Sequence, residues 1–218
     1  MRFGATIAAL IAVCTAFGGS ESDWHPRGAA LRGDVDGDGQ AERVVIEYRG
    51  RPSCDFRLIA GSLVARVRPR ICDDKPGDVY SGPDPHVAVL ANLDGRPGLE
   101  VVVQLGHGAH TEFGDLWAVR NGRLRRFAGP EPHLIYGGSV GTGSQVVDCS
   151  SLPGVLLVST RIYDPPARVI RAWYQTRGLR LRRIRWRTIW WPAERRVRLH
   201  EFGYPQPFPS CAKARAPR

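Results

Sequence analysis

Carboxylates stand at every second residue along Asp34-Val35-Asp36-Gly37-Asp38, and a fourth follows at Glu42. Charges of one sign so closely spaced repel one another unless a cation draws them together. Ca2+ is held by oxygen ligands, commonly in a loop with acids at positions 1, 3 and 5 and glycine at position 6. Asp34, Asp36, Asp38 and Gly39 fill those positions. Gln40 at position 7 can offer its backbone carbonyl, and Glu42 at position 9 its carboxylate, directly or through water. The expected ligand set for one Ca2+ is therefore Asp34, Asp36, Asp38, Gln40 and Glu42. The alternative is an acidic turn in a solvated loop.

What surrounds the loop decides its type. An EF-hand needs a bidentate Glu at position 12 and a helix on each side. Position 12 here is Val45, within Val44-Val45-Ile46, and a β-branched run of this kind reads as a buried strand. The loop thus feeds a strand. An Asp-x-Asp-x-Asp-Gly-x-x-Glu loop followed by an apolar strand resembles the FG-GAP/VCBS repeats of integrin-α-like β-propellers. That resemblance implies an all-β fold, structural calcium, and a role in adhesion or ligand recognition at an exported surface.

The stretch recurs. Asn92-Leu93-Asp94-Gly95-Arg96-Pro97-Gly98-Leu99-Glu100, followed by Val101-Val102-Val103, aligns with it at an offset of 58 residues. Arg96 replaces the position-5 acid, so metal binding is expected to be weak or lost. A third copy begins at Asp148, 56 residues further on. Ser150 stands where Asp94 stood and Leu156 where Glu100 stood, so its metal ligands are gone. Downstream, Leu116 to Val119, then Asn121-Gly122, then Arg123 to Phe127 reads as strand, turn, strand, with Asn-Gly a strong hairpin signal. Trp173 and Gly178 repeat Trp117 and Gly122. The expectation is three propeller-blade-like repeats of about 57 residues, one domain over 30–200, preceded by a linker at 19–29 and followed by a Pro-rich basic tail at 201–218. Three blades are fewer than the roughly four to eight of a closed ring, so an open or incomplete β-propeller is expected.

Arg2 followed by the apolar run Gly4 to Phe17 reads as a secretory signal peptide over 1–18, cleaved after Ala16 or Gly18. The run is too short for a lasting transmembrane anchor. Ile11-Ala12-Val13-Cys14 loosely resembles a lipobox, but Val13 occupies a place where a small residue belongs, so lipid anchoring through Cys14 is the less favoured reading. Four cysteines remain, and an even number in an exported chain suggests disulfides. Three pairings exist; Cys54–Cys72 and Cys149–Cys211 are favoured, the first flanking a hairpin and the second tying down the tail. No Cys-x-x-Cys occurs, which disfavours a zinc ribbon or a thioredoxin-type site.

Other chemistry is thinner. His107 and His110, near Glu112 and Asp115, have a spacing that suits zinc only on a helix. Their glycines and strand context indicate a turn. Gly137 to Ser144 is glycine-rich but lacks the Lys of a P-loop, and reads as a flexible loop. No nucleophile motif is present and no spacing singles out paired carboxylates, so the reading is non-enzymatic; an exported hydrolase on a repeat scaffold is the alternative.

Net charge is +10, and it is concentrated late: residues 151–218 carry 15 Lys and Arg against Asp164, Glu194 and Glu201. Arg180, Arg182, Arg183, Arg185 and Trp186 interleave arginine with apolar residues. Period-2 alternation gives a half-buried strand with arginine on its solvent face, which is the preferred reading. The alternative is binding of an anionic envelope polymer; export makes nucleic acid the less natural partner.

Overall fold

The computed structural model describes residues 23–49, 55–68, 85–107, 111–129, 134–140, 143–162, 166–190 and 211–213. The expected signal peptide, Cys14, Cys54, Cys72, His110 and most of the Pro-rich tail lie outside them. The described chain is all-β, without an α-helix. No helix among the described residues is long and apolar enough to cross a membrane.

Three four-stranded antiparallel meanders account for nearly all strands. The first is β1 (Trp24–Gly33), β2 (Glu42–Arg49), β3 (Phe56–Ala60) and β4 (Leu63–Val67), in sequence order. The second is β5 (His86–Asn92), β6 (Glu100–His107), β7 (Thr111–Arg120) and β8 (Arg123–Arg126). The third is β10 (Gly143–Cys149), β11 (Val155–Ile162), β12 (Arg168–Arg177) and β13 (Arg180–Trp190). Strand β9 (Leu134–Val140) pairs with the start of β7 and with β10, joining the second and third meanders into one sheet. Strand β14 (Ala212–Lys213) pairs with β5. The sheets do not close on themselves. Strand β1 begins at Trp24, inside the stretch assigned to a linker. Gly137–Val140 and Gly143–Ser144 are paired strand rather than the expected flexible loop.

Apolar periodicity explains the stacking. Val44 and Ile46 point from β2 toward the second meander, into a cluster with Leu58, Val101, Val103 and Trp117. Val102, Leu116 and Ala118 point the other way, into a cluster with Val147 and Leu156 of the third. The second meander is therefore covered on both faces, and this is why β6 reads as an unbroken valine run. Val101, Val102 and Val103 are all fully buried. Each buried valine of this kind contributes about 1.5–3 kcal/mol relative to exposure. Asn121 (φ 53°) and Gly122 (φ 66°) both adopt positive φ, the backbone of a type I′ turn, which the Asn-Gly pair accepts.

Candidate functional site

The three aligned loops lie at one end of the meanders, each between a first and a second strand. In the first loop the acid side chains accept backbone N–H groups. Asp34 Oδ1 accepts from Gly37 at 2.7 Å, Asp36 Oδ1 from Asp38 at 3.1 Å, and Glu42 Oε2 from Val35 at 2.8 Å. The second loop repeats all three bonds at the aligned residues. Asn92 Oδ1 accepts from Gly95 at 2.8 Å, Asp94 Oδ1 from Arg96 at 2.9 Å, and Glu100 Oε2 from Leu93 at 2.7 Å. The sequence alignment thus corresponds to a shared backbone geometry. In the third loop neither acid of that pair survives, and Ser150 Oγ instead exchanges hydrogen bonds with the Leu152 backbone.

The first loop gathers Asp34, Asp36, Asp38 and Glu42 so that one ligand oxygen from each lies within 4.8 Å of the others. Asp34 and Glu42 are half-buried; Asp36 and Asp38 are exposed. Ca2+–oxygen distances of about 2.3–2.6 Å place opposite ligands about 4.6–5.2 Å apart, so four oxygens at this spacing fit around one such ion. Gln40, the fifth expected ligand, is exposed; its N–H donates to Asp38 Oδ1 at 2.8 Å and its side-chain amide to Asp38 Oδ2 at 3.4 Å. None of the four carboxylates forms an ion pair with a described residue.

The second loop meets its negative charge differently. Asp94 and Glu100 have side chains only 2% and 1% exposed, and Arg120 Nη2 donates to both, to Glu100 Oε1 at 3.1 Å. Arg96, the cation evident in the sequence, stays 58% exposed and lies 3.8 Å from Asp94. Arg120 reaches the loop because of hairpin register. In the first meander Val44 pairs with Ala60, the last residue before the turn. The aligned Val102 pairs with Leu116, and β7 runs on for four more residues to Arg120, past Glu100 where β6 begins. Burial pushes the Glu100 carboxyl up to about 7; the Leu93 N–H opposes this, the Asp94 charge adds to it, and Arg120 opposes it. Sequence reasoning missed Arg120. The available signal was a pair of acids opening a buried valine strand, which calls for a counter-charge.

The loops also touch one another. Leu99 N–H donates to the Asp34 carbonyl at 2.8 Å, and a β-carbon on Gly98 would lie 2.9 Å from the Val35 carbonyl oxygen. Only glycine allows that approach, and Gly98 also has φ 93°. The second loop meets Pro153-Gly154 of the third in the same way.

Cys149, beside the third loop, is disulfide-bonded to Cys211, as expected. Arg180, Arg182, Arg183, Arg185 and Trp186 all lie exposed on β13, in a different sheet from the strands that carry the acidic cluster. His107 ends β6 and Thr111 opens β7, so the connection between them falls outside the described residues. Asp115 is buried and ion-paired with Arg126 at 3.1 Å. Compared with known protein families, with curated proteins and with solved structures, the chain matches none.

Proposed function

We propose that the chain is an exported, non-enzymatic, calcium-binding β-repeat module of the FG-GAP/VCBS kind, serving adhesion or ligand binding at the cell envelope. On this reading the three meanders are blade-like repeats of about 57 residues in an open or incomplete propeller, and one Ca2+ sits in the first loop. The carrying observation is the convergence of four acid oxygens within 4.8 Å without an ion-paired partner among the described residues. The second loop supports it by contrast, since an arginine occupies its acid pair. The Cys149–Cys211 disulfide is compatible with an extracellular protein. The adhesive role comes from the resemblance alone.

Calcium would act on structure. It neutralises the acid cluster, holds the turn that sets the register of β2, and so braces the contact of Asp34 with Leu99 in the next meander. Binding to the folded state adds stability by mass action, about 2.7 kcal/mol when free Ca2+ is a hundredfold above Kd. The test is thermal melting with Ca2+ and with chelator. The wild type is expected to melt roughly 5–10 °C higher in Ca2+. Asp36→Ala is expected to show almost no difference. A wild-type midpoint that ignores Ca2+ contradicts the reading.

A further inference from the structure

Strand β13 ends the sheet, and among the described residues only Ala128 bridges to its outer edge, at Arg180. Its arginines are not evenly split between faces. Leu181 packs toward the second meander, so Arg180 and Arg182 face away from it. Simple alternation would then turn Arg185 and Arg187 back toward the second meander. A bulge prevents this: Tyr174 pairs with Arg183, Trp173 with Arg185, and Ile184 is the extra residue. The Arg185 guanidinium lies 5.1 Å from the centre of the Trp173 ring, which places it on the outward side. Arg180, Arg182, Arg185 and Arg187 therefore form one outward row, about 6–7 Å between alternate residues.

Two members of the row stand opposite further arginines of β12. Arg187 lies directly opposite Arg171, and Arg180 opposite Arg177. Like charges directly opposite destabilise a strand pair. The one carboxylate on β10–β13 is Asp148, three strands from the row and so about 14 Å away. Arg180, Arg182, Arg185 and Arg187 are all exposed.

We propose that this exposed arginine row along β13 docks a linear acidic polysaccharide, whose repeated anionic groups each meet a guanidinium of the row. Guanidinium forks match carboxylate and sulfate groups in paired hydrogen bonds. Nucleic acid suits the face less well. Single strands are gripped by bases stacking on open aromatic rings. Trp186 and Trp190 are exposed but alternate onto the opposite side of β13, and Trp173 is already covered by Arg185.

The full exported chain would be titrated with heparin oligosaccharides, polygalacturonate oligomers and a single-stranded oligonucleotide, across a salt series. The two polysaccharides separate sulfate from carboxylate recognition. Expected is binding to at least one polysaccharide, tighter than to the oligonucleotide. The triple reversal Arg182→Glu, Arg185→Glu, Arg187→Glu is expected to weaken it by roughly tenfold or more and to lower the salt slope by about 2–3. A control with the same charge change, Arg43→Glu, Arg123→Glu, Arg125→Glu, should lose about twofold or less, since those exposed arginines lie on the other two meanders. Deleting Ile184 keeps every arginine but breaks their phase, and should weaken binding as the reversal does. Equal losses in the control and the row reversal would overturn the proposal, as would tighter binding to the oligonucleotide.

Discussion

The first and second loops share a backbone and differ in how their acids are compensated. Three aligned hydrogen bonds hold each in the same turn. The first then presents four carboxylates, two of them exposed, with no ion-paired partner among the described residues; on the proposed reading a cation from outside compensates them. The second keeps only Asp94 and Glu100, buries both, and brings Arg120 onto them from the end of β7. One loop geometry thus carries an open acidic cluster in one case and a closed internal salt bridge in the other. The choice depends on two features: how many acids the loop carries, and how far the following hairpin overhangs it.

The largest test of that contrast removes the internal cation. Arg120→Met leaves two buried carboxylates facing each other, and such breaking of a buried pair costs about 3–5 kcal/mol. Denaturant unfolding should show this loss above neutral pH and recover part of it in acid, where the carboxyls protonate.

Next in size is the wild type's own pH dependence. The Glu100 carboxyl is raised from 4.5 to about 7 by burial. The folded state then holds a proton that the unfolded state has released, so this group's contribution is full below about pH 4.5 and is lost as pH rises toward 7. Stability should fall by about 2–3 kcal/mol across that window. In Glu100→Gln the fall should disappear, while Ca2+ still raises the melting point. Persistence of the fall in the variant would mean another group is responsible.

The smallest effect belongs to the residue most conspicuous in the sequence. Arg96→Ala should cost under about 1 kcal/mol in the same denaturant assay, because Arg96 is largely solvated and its contact with Asp94 is long. A loss comparable to that of Arg120→Met would show that Arg96, and not Arg120, balances the second loop.

Much of this was legible in the chain. The all-β class followed from β-branched runs and turn residues such as Asn121-Gly122. The Asp34–Glu42 cluster followed from its spacing; counting cysteines pointed to disulfides, and Cys149–Cys211 is favoured among three pairings because it ties the tail to the body. What escaped had long-range or register causes. Arg120 lies 20 residues from Glu100, and nothing local shows that β7 extends past β6. The bulge at Trp173–Tyr174, which brings the β13 arginines into one row, is equally invisible to a period-2 pattern. The role of β9 as a bridge between meanders was hidden because Gly137 to Ser144 has the composition of a loop, while the backbone of Gly137–Val140 and Gly143–Ser144 is committed by pairing with β7 and β10.

The contrast between the loops reduces to a count of ions. Calorimetric titration of the metal-free chain with Ca2+ should give one ion per chain, a count that Asp36→Ala abolishes and Asp94→Asn leaves unchanged. A count of zero would remove the ion from the first loop; a second equivalent sensitive to Asp94→Asn would show that Arg120 does not close the second.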